Sequence, residues 1–301
     1  MDLWIPITLA AAFLQNLRSA TQKHLKSVMG TTGATFVRFG FGLPFALLFL
    51  WLLVGFSGHA IPAVNAPFLL WVVVAASSQI GATFLLIHLF SHRNFAVGTA
   101  YSRTEPAQAA LFALIFFGEK VSPGSLMAIA VSVLGVMLIS VAHMRMSWRN
   151  MIASVFARNA LIGLASGALF GIAAVGYRAA SLALGGPDFT VQAAVTLVSA
   201  LLLQTPAMLI WIVVKERAEL ARIVRAWKPS LFTGFAGASA SFGWFMAMTL
   251  QQAAVVKALG QIEMLFTFAA SVFVFREKIN RIETAGCVLI VLGIVILVLM
   301  G

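Results

Sequence analysis

The sequence holds one cysteine, two tyrosines and nine acidic residues, and each shortage removes a class of explanation. A lone thiol, Cys287, forms neither a disulfide framework nor a thiolate metal site within one chain, and it sits in an apolar run. Charged residues make up 10% of the chain, against about 25% in soluble domains. There is no GxxxxGK[ST] loop to drive a pump with ATP, no HExxH, no Cys/His constellation and no nucleophile with a base at fixed spacing. No catalytic residue, metal or cofactor is therefore expected, and the chain does not read as an enzyme. The apolar stretch from Leu3 to Leu14 lacks a positive leader, so it reads as a first membrane helix and not as a cleavable signal.

What is abundant is apolar surface. Hydrophobic residues reach 61% and the mean hydropathy is +1.00. They come in blocks of roughly 20, the length an α-helix needs to cross a hydrocarbon core of about 30 Å. An all-α integral membrane protein follows, with ten transmembrane helices: about Trp4 to Gln22, Gly33 to Gly55, Pro67 to Phe90, Val97 to Phe117, Gly124 to His143, Ala160 to Ala183, Phe189 to Val214, Pro229 to Leu250, Ala253 to Phe275 and Ile282 to Met300. The net charge of +11 suggests nucleic acid at first sight, but the basic residues fall in short clusters between apolar blocks. Such clusters set topology and touch anionic lipid. They follow helices one, three, five, seven and nine, while the other loops hold only Lys120, so the odd-numbered loops are expected in the cytoplasm.

The chain is duplicated. Glu105, Glu119, Lys120 and Gly135 recur 158 positions further on as Glu263, Glu277, Lys278 and Gly293. Fainter echoes link Arg18 to Arg178, Pro44 to Pro206 and Gly81 to Gly243, with Ser91 to Asn94 reading as a short insertion. A period this long marks a doubled domain. Residues 1–143 and 160–301 are the two copies and 144–159 the cytoplasmic linker. Since five helices is an odd number, the second copy enters from the opposite side, giving two inverted five-helix repeats around a central cavity.

Polar side chains at membrane depth normally face a partner or a cavity. Helix one carries Gln15, Arg18 and Gln22 on one face at i, i+3 and i+7; helix four carries Tyr101, Glu105 and Gln108 on one face at i, i+4 and i+7. Gln79 and His88 lie on helix three, Tyr177 and Arg178 on helix six, Trp244 on helix eight, and Lys257, Gln261 and Glu263 on helix nine. Helices one, three, four, six, eight and nine should thus line the path, with five and ten as scaffold. Glu105 and Glu263 have two readings: ion-pair partners of Arg18, Arg178 or Arg103, or groups that handle substrate or protons. Arg18 and Arg178 suit a carboxylate ligand, because a guanidinium matches it with two hydrogen bonds. Tyr101, Tyr177 and Trp244 serve either as an apolar wall or as filling. Arg38 and Lys257 read as snorkelling cations near helix ends, and His88 and His92 as interfacial. Pro106 is expected to kink helix four at Glu105, and the Gly163, Gly167, Gly171 stripe to permit close packing.

Two five-helix units, each closing on a Glu-Lys joint and a helix with a Leu-Gly-aliphatic step, resemble the EamA-type members of the drug/metabolite transporter superfamily. The resemblance spans almost the whole chain. It implies a bacterial inner-membrane exporter of small metabolites, similar to exporters of amino acids, aromatic ones included. The expected function is secondary export by alternating access, with a gradient-driven facilitator or a multidrug exporter of the same fold as alternatives. Partners would be the small-molecule substrate, the lipid bilayer and protons as coupling ion, with no nucleic acid and a monomeric state. Smaller relatives that expel cationic drugs use a glutamate in helix one; Arg18 and Arg178 here favour ligands bearing a carboxylate.

Overall fold

The structure is a computed structural model that describes residues 2–58, 60–89, 101–142, 158–186, 188–273 and 281–300, and the regular elements among them are helical. In chain order they are α1 (Trp4–Leu25), α2 (Thr31–Gly40), α3 (Leu43–Ser57), α4 (Ala66–Leu89), α5 (Glu105–Phe117), α6 (Pro123–Ala142) and α7 (Arg158–Leu184). The second half continues with α8 (Phe189–Lys215), the short α9 (Ala218–Arg225), α10 (Trp227–Leu250), α11 (Ala253–Leu259), a 3-10 turn (Gly260–Ile262), α12 (Glu263–Phe273) and α13 (Arg281–Met300). The Glu277-Lys278 joint, His92, Arg93, Arg145, Arg149 and Arg276 lie outside the described residues.

Among the described residues seven segments are long and apolar enough to cross a membrane, where ten spans were expected. The expected spans not among the seven are helices one, four and nine, the last two of which extend into residues outside the described ones. Helix one (α1) carries Gln15, Asn16, Arg18, Ser19, Gln22 and Lys23 in its second half. The described part of helix four is α5, only 13 residues, preceded by a turn at Arg103 and Thr104. Helix nine is divided into α11, the 3-10 turn and α12. The expected kink at Pro106 is a full break: Thr104 donates its N–H to Tyr101 O at 3.2 Å, and Pro106 sits in the first turn of the new helix, where its missing N–H costs nothing.

Helix two breaks as well, between α2 and α3, although helix seven, its repeat mate, runs unbroken through Pro206. The difference lies in the preceding residues. Gly40 and Gly42 flank the break in helix two, while the equivalent positions in α8 are Leu202 and Gln204. A Cβ on Gly42 would lie 2.6 Å from Arg38 O, so the sharp joint requires glycine. It rests against Gly234 of α10, whose own Cβ would be 2.5 Å from Phe41.

The halves interlock by exchange. α1 packs along α10 and α4 along α7, so each half's first helix lies against the other half's third. α6 and α13, the last helices of the two copies, pack on one another and contribute no side chain to the central cavity. A Cβ on Gly135 of α6 would sit 2.7 Å from Gly286 O of α13 and 2.9 Å from the backbone nitrogen of Ile290. Backbone cannot yield as a side-chain tip does. Gly135→Leu is therefore expected to destabilise the protein by about 1–3 kcal/mol through overpacking, read as a lower thermal midpoint in detergent. The helix-six stripe packs as expected: a Cβ on Gly171 would lie 3.1 Å from Ala109 N of α5.

α9 lies in the loop after α8 with Val224, Arg222 and Arg225 exposed and Glu219 buried. Glu219 accepts the Gly30 N–H at 2.7 Å and an Arg222 N–H at 2.5 Å, so a carboxylate caps the start of α2, where free N–H groups favour negative charge.

Candidate functional site

A central cavity lies where the two exchanged helix pairs meet. Its volume is about 60 Å³. α1 contributes Gln15, Arg18 and Ser19, α2 Arg38, and α4 Gln79 and Leu86. The turn before α5 adds Ser102 and Arg103, and α5 adds Glu105. From the second half come Phe170, Ala173, Ala174 and Tyr177 of α7, Ser241, Trp244, Phe245 and Met248 of α10, Lys257 of α11 and Glu263 of α12.

The two breaks in helices four and nine place repeat-related carboxylates at equivalent points. Glu105 and Glu263 each stand in the first turn of a half-helix, α5 and α12, where the macrodipole stabilises an anion. Gly260 makes the second break possible, because a Cβ there would run into the Trp244 ring. Glu263 is held from both sides: Arg103 donates Nη1 to Oε2 at 3.1 Å and Nη2 to Oε1 at 3.3 Å, and Gln15 Nε2 donates to Oε2 at 2.8 Å. Gln15 Oε1 in turn accepts from Trp244 Nε1 at 2.9 Å. Glu105 pairs with Lys257, whose ammonium is 2.9 Å from Oε1 and 4.4 Å from the centre of the Trp244 ring. Of the two readings of these glutamates, the geometry thus realises the ion pair in both, with Arg103 and Lys257 as partners instead of Arg18 and Arg178.

A second group of polar side chains is neutral. Tyr177 donates to Gln79 Oε1 at 2.9 Å, and Gln204 Nε2 donates to the same oxygen at 2.8 Å and to Ala76 O at 3.1 Å. Gln79 Oε1 is thereby saturated, while its Nε2 has no acceptor among the described residues. Tyr177 also packs on Phe245, ring centres 4.2 Å apart, forming an aromatic wall.

Two cations remain. Arg18 is 5% exposed and Arg38 6% exposed, and neither has a carboxylate partner among the described residues. Arg18 donates Nη2 to Ser19 Oγ at 3.3 Å, and its buried Nε has no partner among the described residues. Arg38 donates Nη1 to Thr83 Oγ1 at 3.0 Å. The snorkelling read for Arg38 and Lys257 is overturned by these positions. Arg38 is buried at the cavity and Lys257 reaches Glu105, so neither extends to the membrane surface.

Of the residues read from the sequence as candidates for substrate contact, Gln15, Arg18, Gln79, Glu105, Tyr177, Trp244 and Glu263 line the cavity. Tyr101, Gln108, Arg178 and Gln261 do not. Gln108 Nε2 donates to Thr104 Oγ1 at 2.7 Å and Gln261 Nε2 to Arg103 O at 3.2 Å, so both brace the turn that carries Arg103. Tyr101 is buried at the start of that turn and offers its carbonyl to Thr104. His88 stacks on Phe84 with ring centres 6.3 Å apart and is not part of the lining.

Arg178 stands apart in a second, more apolar hollow of about 280 Å³ with Trp71, Phe117 and Glu119. Its Nε donates to Glu119 Oε1 at 3.4 Å and its Nη1 to Met248 O and Gln251 O at 2.6 and 2.7 Å, the closing carbonyls of α10. It therefore caps a helix C-terminus, a site that favours a cation.

With this geometry in place, comparison with known proteins adds three findings. A family model described as the EamA-like transporter family matches residues 2–141 and 158–299, one match in each half. A crystal structure of a protein 16% identical to this chain superposes with a TM-score of 0.70, covering 97% of this chain and 95% of the other, which speaks for the fold alone. No curated protein matches the sequence.

Proposed function

The chain belongs to the EamA-like transporter family of the drug/metabolite transporter superfamily, a multi-pass membrane transporter of small molecules, and we propose that it exports amino acids or similar carboxylate-bearing metabolites by alternating access. Residues 1–143 and 160–301 act as two inverted five-helix repeats, ten spans in all, that rock about the central cavity in a bacterial inner membrane. The odd-numbered loops, with their Lys and Arg clusters, face the cytoplasm.

The observation that carries this reading is the buried, unpartnered Nε of Arg18 at the cavity. A donor left unsatisfied in a dry interior costs about 1–3 kcal/mol, more for a charged group, and a substrate carboxylate removes that cost. Gln79 Nε2 offers a neutral donor across the same space, and Tyr177, Phe245 and Trp244 supply apolar wall for the rest of the ligand. Purified protein in liposomes is expected to exchange labelled amino acids across the membrane, and failure to move any carboxylate-bearing solute would sink the reading.

A second reading, facilitated diffusion without coupling, draws on a different observation. Both cavity carboxylates sit in ion pairs, Glu105 with Lys257 and Glu263 with Arg103, so each already has a cation beside it. Uptake into liposomes is then expected to be the same with and without an imposed pH gradient. Several-fold stimulation by the gradient would instead establish proton coupling.

A further inference from the structure

The cavity's charges do not cancel. Among the described residues four cations and two carboxylates line it, and two ion pairs account for Lys257, Glu105, Arg103 and Glu263. Arg18 and Arg38 are left as an excess of two positive charges, both buried. They are also neighbours: a methyl group placed on Gly237 of α10 would lie 3.4 Å from Arg18 Cδ and 3.5 Å from Arg38 Cγ. Their stems thus pass side by side, and like charges on neighbouring side chains repel more strongly as the surrounding dielectric falls. Desolvating an unpaired charge costs several kcal/mol per ion, so the empty cavity is a poor resting place for both.

A monocarboxylate or a zwitterion leaves at least one of these charges uncompensated. Resting on the transporter reading, we propose that the cavity takes an organic dianion, a small dicarboxylate or a phosphate monoester, whose two negative charges meet Arg18 and Arg38. The fork of a guanidinium pairs equally well with carboxylate and phosphate oxygens, so the shared chemistry is two negative charges within reach of two adjacent arginines. Gln79 Nε2 supplies a neutral hydrogen bond, and the Tyr177 and Phe245 rings receive the carbon body.

The test is a ligand series ordered by charge: phenylalanine (net zero), aspartate (one negative charge), then succinate and glycerol 3-phosphate (two). Affinity is read by thermal shift on the purified full chain in detergent, and movement by counterflow in liposomes. Binding is expected to strengthen at least tenfold from phenylalanine to the best dianion, and the succinate and glycerol 3-phosphate arms separate carboxylate from phosphate. In Arg38→Gln the excess falls to one charge, so the preference is expected to move from the dianion to aspartate, a change that mere loss of folding does not produce. Phenylalanine binding as tightly as the dianions, or no dianion binding at all, overturns the proposal, and in the first case the transporter reading survives. Dianions that bind but do not cross the membrane uphold the charge assignment and overturn the transport reading.

Discussion

Glu263→Gln is expected to lower the stability of the folded protein by about 1–3 kcal/mol, less than for a fully buried ion pair because the Arg103 side chain left behind is 26% exposed. The side chain is 5% exposed and accepts two Arg103 N–H groups and one from Gln15. A neutral amide keeps one acceptor oxygen but turns an N–H group toward Arg103, which then keeps its charge with nothing to balance it. Glu263 also begins α12 directly after the 3-10 turn, so the break in helix nine loses its anion at the helix start. Glu105→Gln is expected to cost less, because Lys257 retains the Trp244 ring face at 4.4 Å when its carboxylate is gone. Thermal unfolding in detergent ranks the two variants. The double variant Arg103→Gln/Glu263→Gln should recover a large part of the lost stability, since it buries no unpaired charge. A double variant as unstable as Glu263→Gln alone would show that the ion pair is not what holds the break.

The duplication was legible because the recurrent residues are structural: Glu105 and Glu263 start equivalent half-helices, and Gly135 packs against α13 as the equivalent Gly293 packs against α6. The set of helices around the cavity was legible too, since membrane polarity has few places to go. Partners were harder. Periodicity puts Glu105 and Arg18 on inward faces but says nothing about which residues meet across the bundle, and the interlocking exchange of helices decided that. Burial of helix ends was harder still. Arg38 does lie near the start of the Thr31–Phe56 span, but the sequence does not say that this end of the helix is buried in the bundle. Arg178 echoes Arg18 in sequence yet caps α10 beside Glu119, so the two copies have diverged in what this arginine does. The cavity's positive excess comes from Arg18, whose echo Arg178 lies outside the lining, and from Arg38, whose position 162 residues on is Ala200.

Arg18→Ala is expected to abolish transport while making the empty protein more stable, an opposition of signs that separates a binding arginine from a structural one. A charge-assisted contact at a desolvated site is worth about 2–5 kcal/mol when one partner is truncated, which corresponds to a loss of about 30-fold to about 4000-fold in apparent affinity. In the ligand-free state the same substitution removes an unpaired guanidinium whose Nε lacks a partner and which stands beside Arg38. Only the Ser19 hydroxyl loses a donor, at 3.3 Å. Relief of the desolvation cost and of the repulsion between arginines should therefore outweigh that one long hydrogen bond and the packing of the arginine stem, and the thermal midpoint of the empty protein should rise. Arg18→Lys keeps the charge but not the planar fork, so its stability is expected near that of the parent and its affinity well below it. Liposome counterflow and thermal unfolding on the same preparations decide the matter. A fall in stability alongside retained transport would place Arg18 in the scaffold, and the carboxylate assigned to it would need another donor.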